Sequence, residues 1–262
     1  MTFKRPVQLD LFEKIVSSAG RIYTQSLDLW DQVPKSVLGP AIDPATDKPV
    51  AKGTRYLPIQ SRRFVHDGVA MTVDVAPARL HGPGGLDRDT LPGLREFLVE
   101  QSIRKLAIQK RQTVETAVDS HGQLIGAAFR IGDVCTDLAQ FHHTHSWSEI
   151  RESLQVASGA VITIRRDSDG WSLRAPIFPF AALPGETIDG AAYVAFHPLV
   201  TDGIRSCRYR QTHYPTIMTL KSSLARWLHC RMTHRFQQAD HLIRTPCDRF
   251  VMRGIPEERQ RI

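Results

Sequence analysis

His142-His143-Thr144-His145-Ser146-Trp147-Ser148-Glu149-Ile150-Arg151-Glu152-Ser153-Leu154-Gln155-Val156-Ala157-Ser158-Gly159 is the stretch on which the reading of this chain turns. Ser146 and Glu149 have capping-box spacing, in which each side chain satisfies a free backbone N–H of the other and so starts a helix. Apolar Ile150, Leu154 and Ala157 then recur on one face, and Ser158-Gly159 is a C-terminal stop signal. On the N-terminal side Val134, Leu138 and Phe141 fall at i, i+4 and i+7, one face of a preceding helix that ends at the polar His142–His145 break. On the C-terminal side Ala160–Ile164 and Trp171–Leu173 flank Asp167-Ser168-Asp169-Gly170, a hairpin pattern. Helix, short turn, helix, hairpin is the order of a winged helix-turn-helix, with Ser146–Ser158 as the groove reader and the hairpin as the wing. An ordinary amphipathic helix shows the same periodicity, so the expectation of DNA contact rests on the flanking helix and hairpin as well.

Working outward, Arg63–Val75 reads as two strands around the Asp67-Gly68 turn. Before it, Pro34–Gly53 holds four prolines and reads as loop. His81–Asp89 is a second breaker segment, followed by a long helix over Leu94–Arg111. In that helix Leu94, Leu98, Val99, Ile103 and Leu106 make a broad apolar face, and Arg95, Arg104, Lys105 and Lys110 are expected to point elsewhere. Val114–Val118 and Ala127–Phe129 are short strands, and Ala192–Phe196 is a strand closed by His197-Pro198. Ser222–Phe236 reads as a helix with Leu220, Leu224, Trp227 and Leu228 on its apolar side. Pro246, Gly254 and Pro256 leave the last residues poor in regular structure. No internal repeat or low-complexity tract is visible.

Composition limits the function classes. The chain has 262 residues, 42% apolar and 23% charged, enough for a real core and unlike a disordered or collagen-like chain. No apolar run reaches the roughly 20 residues that span a bilayer. The N-terminus lacks the apolar core and cleavage site of a secretory signal. Cys135, Cys207, Cys230 and Cys247 are too few and scattered for a disulfide framework, so a reduced, cytoplasmic protein without membrane contact is expected.

The net charge of +7 is unevenly placed. Residues 1–196 hold 22 basic and 22 acidic side chains, whereas residues 197–262 hold 12 basic, eleven of them Arg, against five acidic. Arginine's planar fork suits phosphates and guanine edges, so a polyanion, nucleic acid first, is the natural partner. A solvated cationic face would carry the same excess.

Several stretches, taken in order, resemble a known family. They are Val73-Asp74-Val75-Ala76-Pro77-Ala78, Leu94–Ala107, Ser146–Leu154, Ala195-Phe196-His197-Pro198-Leu199-Val200-Thr201, Tyr209-Arg210-Gln211 and Ser223-Leu224-Ala225-Arg226-Trp227-Leu228-His229. Together, over about residues 60–236, they are similar to plasmid replication initiator proteins of the replication initiator A type. The Phe196–Thr201 and Leu224–His229 pieces are the most specific. The resemblance implies an α+β fold of tandem winged-helix units that bind repeated sequences at a plasmid origin. It also implies melting of an AT-rich element, recruitment of host helicase and host initiator, and homodimers that repress their own promoter. No covalent chemistry, cofactor or metal is implied. The family pattern runs on past the Leu224–Arg235 helix for tens of residues that Thr245–Pro256 does not match. The second unit is therefore expected to be incomplete, and the alternative function is a shortened DNA-binding regulator or repressor that cannot initiate. The expected organisation is an N-terminal segment (1–60), a first winged helix (61–180), and a partial second with a basic tail (190–262).

The candidate DNA-binding residues follow. Trp147, Ser148, Arg151 and Glu152 would face base edges from the reading helix, and Ser146 with the first-turn N–H groups would hold a phosphate. Arg165, Arg166 and Arg174 on the hairpin would reach the backbone or minor groove; charge protecting an edge strand is the plainer account. Arg205, Lys221, Arg226, Arg231 and Arg235 would anchor phosphates. Trp227 reads as core. His142, His143 and His145 suggest the metal pair of a nicking enzyme, but Thr144 separates two of them and no tyrosine helix follows. A pH-sensitive DNA contact is the other use of such a cluster. Cys230, His234, His241 and Cys247 have zinc-ligand chemistry without a zinc module's spacing, and Cys230 reads as buried. No nucleotide loop or catalytic triad pattern is present, so no catalytic residue is assigned.

Overall fold

The computed structural model describes residues 23–82, 87–109, 113–119, 122–183, 191–206 and 209–235. The first strand, β1 (Tyr23–Leu27), leads directly into a short helix, α1 (Asp28–Gln32). Most of the Pro-rich segment is irregular as expected, apart from a small hairpin of β2 (Ile42–Asp43) and β3 (Lys48–Pro49). β4 (Gln60–His66) and β5 (Val69–Ala76) then pair around Asp67 and Gly68. Both turn residues have positive φ, 48° and 78°, the backbone that lets a two-residue turn follow the strand twist.

The segment read as a breaker holds a hairpin instead. β6 (Ala78–His81) pairs with β7 (Asp87–Thr90), whose Asp-Arg-Asp-Thr sequence carries no strand signal of its own. Cross-strand charge supplies the missing preference: Arg79 meets Asp89 at 3.1 Å and His81 meets Asp87 at 2.7 Å.

α2 (Leu94–Gln109) runs through the centre of the molecule, with Leu98, Val99, Ile103 and Leu106 buried. Arg104 and Lys105 correct the expectation that they face outward, for both are buried. Arg104 forks onto Asp31 of α1 at 2.8 and 2.9 Å, and Lys105 meets Asp137 at 2.5 Å. The helix has neighbours on every side, so its cations must find carboxylates inside the protein.

β8 (Thr113–Asp119) and β9 (Gly122–Arg130) form a hairpin, and β9 passes without a loop into α3 (Ile131–Ala139). After a polar turn, α4 (Trp147–Gly159) begins at the capping box and ends against β10 (Val161–Arg166), which turns back into β11 (Ser172–Pro176). β12 (Phe180–Ala182) and β13 (Ala191–Ala195) follow, then α5 (Pro198–Arg205), β14 (Tyr209–His213), α6 (Tyr214–Thr219) and α7 (Ser223–Arg235).

Two four-stranded antiparallel sheets organise these elements, in the orders β11-β10-β5-β4 and β12-β13-β9-β8. The hairpin read as a wing is part of the first sheet, where β10 pairs with β5 over Val161–Arg166. In the second sheet β13 pairs with β9, and elsewhere β1 pairs with β14, so the three expected segments share sheets and one continuous core. A side chain at Gly126 would collide with the Tyr193 hydroxyl, which explains a glycine in the middle of β9.

α7 differs from its expected orientation. Leu224 is 67% exposed and Leu228 45%, while Arg226 and Cys230 are buried. The helix packs on α1, β1, β14 and α6 through the Arg226–Cys230 side, leaving the leucines outward. Among the described residues no helix is long and apolar enough to cross a membrane.

Candidate nucleic-acid interface

α4 starts where the sequence places it. The Ser146 hydroxyl accepts from the Glu149 N–H at 3.3 Å, and the Glu149 carboxylate accepts from the Ser146 N–H at 2.7 Å. Hydrogen bonds from the Ser146 backbone and hydroxyl hold the Glu149 carboxyl below its ordinary range, so it is ionised at neutral pH. The cap corrects one expectation: Ser146 is engaged with Glu149, and an anionic carboxylate sits at the helix start, where it repels a phosphate.

Ile150, Ser153, Leu154, Val156 and Ala157 are buried, against α2 and α3 on one side and β6 on the other. Val156 and Ala160 pack with Ala78 and Leu80 of β6. A Cβ on Gly159 would come within 3.0 Å of Ala78, so the last turn of α4 lies close against that strand. Ser148, Glu149 and Gln155 are exposed and Arg151 and Ser158 half-buried; Ser148, Arg151, Gln155 and Ser158 follow one another at i, i+3, i+7 and i+10.

Two residues expected to face base edges are elsewhere. Trp147 is half-buried and packed on the core, with the Arg151 guanidinium 5.4 Å from its ring and its Nε1 shielded from solvent. Glu152 is taken by two arginines, Arg88 of β7 at 2.7 Å and Arg95 of α2 at 2.9 Å. Local spacing puts both residues near the outward face, but partners distant in sequence decide their use. Gln155, Arg88 and Arg95 enter the picture from the tertiary structure; the i, i+3, i+7 spacing of Ser148, Arg151 and Gln155 was the available signal for the first.

Strand alternation sorts the hairpin cations. Ile162 and Ile164 of β10 face the core, so Arg165 faces out with Thr163, and Arg174 lies opposite Thr163 on the same outer face. Arg165 is about half-exposed and meets Asp74 at 2.8 Å, and Arg174 is exposed. Arg166 belongs to the other face, where it pairs with Asp169 at 2.7 Å and lies over Trp171 at 5.4 Å.

The C-terminal group is not brought together around α4. Arg226 is a correction: it is buried and donates to the carbonyls of Ile217 and Met218 at 2.9 and 3.3 Å, closing the end of α6. Arg231 donates to the Val65 carbonyl at 3.2 Å and lies over Trp227 at 5.0 Å. Trp227, half-buried, donates from Nε1 to the Gln32 carbonyl at 3.2 Å, consistent with its reading as a packing residue. Arg205 is half-buried in the last turn of α5, and Lys221 is exposed ahead of α7. The Arg235 side chain and the tail past it lie outside the described residues.

Of the histidines, His143 bonds the Met218 carbonyl at 2.8 Å and so ties the interhelical turn to α6. His142 has φ 63° in that turn. Burial, with Arg95 and His143 adding, pushes the His145 pKa down, which keeps its ring neutral near pH 7. Burial pushes the Cys230 thiol up to about 12, away from the thiolate a metal needs. His241 and Cys247 lie outside the described residues, as does the His234 side chain. Among the described residues no three metal-ligating side chains converge.

Comparison with known proteins finds no matching family model and no matching curated protein. Distant structural neighbours are two crystal structures of domains 2 and 3 of RctB. One is 12% identical with a TM-score of 0.47, covering 88% of this chain and 79% of that one. The other is 11% identical with a TM-score of 0.46, covering 71% and 67%.

Proposed function

We propose that this chain is a sequence-specific, double-stranded-DNA-binding plasmid replication initiator that recognises repeats at an origin. The observation carrying this reading is the row Ser148-Arg151-Gln155-Ser158, exposed at Ser148 and Gln155 and half-buried at Arg151 and Ser158, on a capped helix that follows a short turn and runs into a hairpin. Those side chains are the kinds that hydrogen-bond base edges, and the Glu152 carboxylate beside them is paired with Arg88 and Arg95. Arg165 and Arg174 on the neighbouring hairpin are suited to backbone phosphates. The chain acts by binding and deforming DNA, without catalysis of its own. Host helicase and host initiator are its expected partners, and a homodimer is its expected repressing form.

Gel shifts on origin repeats at two salt concentrations test the binding. Duplex binding that weakens steeply with salt supports it, because each neutralised phosphate releases counterions. Absent or salt-insensitive duplex binding overturns it. Supplying the chain in trans to an origin plasmid separates an initiator, which supports replication, from a regulator that binds the same repeats and does not.

A further inference from the structure

We infer that the outer face of the β11-β10-β5-β4 sheet is a second contact surface for duplex DNA, holding its phosphate backbone through Arg63 of β4 and Arg174 of β11. The inference rests on the duplex-binding reading above. It goes beyond that reading by adding Arg63 and by making the whole sheet, rather than one hairpin, the contact surface.

Strand register brings these residues onto one face. Arg63 lies opposite Thr72, Thr72 opposite Arg165, and Arg165 opposite Ser172, so one row crosses all four strands. In the adjacent row of the same face stand Ser61, Asp74, Thr163 and Arg174. The alternate residues, among them Phe64, Val73, Val75, Ile162 and Ile164, fill the core shared with Ile150 and Leu154 of α4. The arginine face therefore looks away from that core.

Charge on the face is available. Arg63 and Arg174 are exposed, and among the described residues neither makes an ion pair or a hydrogen bond. Asp74 is the one carboxylate in the two rows, and it is spent: it pairs with Arg165 at 2.8 Å and accepts from the Ser61 hydroxyl at 2.7 Å. Two unneutralised guanidinium groups thus flank an ion pair that is neutral overall. Charge that guards open sheet edges would also place cations on β4 and β11, but that role leaves DNA affinity unmoved.

The chemistry of the face selects the occupant. A protein partner needs an apolar centre, and within these strands Val65 is the only large apolar side chain exposed on the face. A single strand needs rings on which its bases stack, and the face carries none. Arginine together with serine and threonine hydroxyls is a donor set that contacts duplex phosphates. The two outer strands are three strand spacings apart, about 14 Å. That span is comparable with the roughly 12 Å width of the major groove, so Arg63 and Arg174 suit the backbones on either side of one groove.

The test uses the full chain with an origin-repeat duplex and an unrelated duplex, in anisotropy titrations at several salt concentrations. Arg63→Ala is expected to weaken both duplexes by the same factor and to lower the slope of log affinity against log salt by about 0.9. Combining it with Arg174→Ala lowers the slope by about 1.8, and Arg63→Lys keeps it. Both positions are exposed, and circular dichroism confirms that each variant is folded. A single strand of the same length is expected to bind more weakly than the duplex. Unchanged duplex affinity and slope in the double variant, whether or not it aggregates through its edges, overturn the sheet assignment and leave duplex binding to α4. Tighter binding of the single strand, lost in the double variant, overturns the duplex as the occupant of this face. Absence of duplex binding by the unaltered chain overturns both this assignment and the function it rests on.

Discussion

Arg95 of α2 and Glu152 of α4 are joined by an ion pair of 2.9 Å, and Arg88 of β7 reaches the same carboxylate at 2.7 Å. Three elements meet at one side chain on the flank of the row of Ser148, Arg151, Gln155 and Ser158. Pairs this exposed contribute about 0–1 kcal/mol to stability. Their larger effect is on the electrostatics of the surface, since one carboxylate masks two cations beside the bases that α4 would read.

Glu152→Gln should therefore tighten binding to any duplex and steepen its salt dependence, with only a small drop in melting temperature. Each cation released to a phosphate adds roughly 0.9 to the slope of log affinity against log salt. Anisotropy titrations at several salt concentrations measure this. An unchanged slope would place the flank away from the DNA.

Arg174→Ala should weaken binding by a similar factor on all sequences and lower the same slope by about 0.9, with no change of motif. A change in base preference instead would make Arg174 a base reader and contradict its assignment to the backbone.

Asp137 accepts from Ser102 at 2.7 Å, from Lys105 at 2.5 Å and from the Tyr214 hydroxyl, all inside the protein. Asp137→Ala leaves the Lys105 ammonium buried without its carboxylate, so a loss of about 3–5 kcal/mol in urea unfolding is expected. Tyr214→Phe removes one hydrogen bond and should cost about 1 kcal/mol. Equal effects from the two would show that Lys105 finds another partner or water.

His197 stacks on Trp30 with ring centroids 4.1 Å apart, and its Nδ1 accepts from the Leu199 N–H at 3.2 Å to start α5. Burial and nearby Lys35 push its pKa down to about 3. In the unfolded chain it takes up a proton near pH 6.5, so between about 6.5 and 3 the unfolded state binds more protons. Its contribution to stability is complete above about pH 6.5 and declines as pH falls through that window. Asp31, held at about 2 within its Arg104 and Lys35 pairs against the desolvation that opposes them, adds an acid loss below about pH 3.8. His197→Asn, which keeps an acceptor for the Leu199 N–H but does not titrate, should flatten the unfolding free energy between pH 4 and 6.5. An unaltered slope in that range would assign the acid sensitivity to another group.

Local pattern by itself determined α2, α3, α4 and α7 and the hairpins around Asp67-Gly68 and Asp167–Gly170. The Ser146–Glu149 cap, the Ile150-Leu154-Ala157 face and the Asp67-Gly68 turn depend on neighbours within a few residues, so spacing alone specified them. The same spacing marked Ser148 and Arg151 as outward. Tertiary structure decided which charges remain available. Arg104, Lys105 and Arg226 look like surface cations in a linear reading, yet each is buried beside carboxylates or carbonyls far along the chain or across a turn. Trp147 packs half-buried against the core, Glu152 is claimed by two arginines, and the hairpin joins a sheet through β5. The reason is physical: a period shows which way a side chain points from its own element. Its burial and ion pairing are set by what other elements place opposite it.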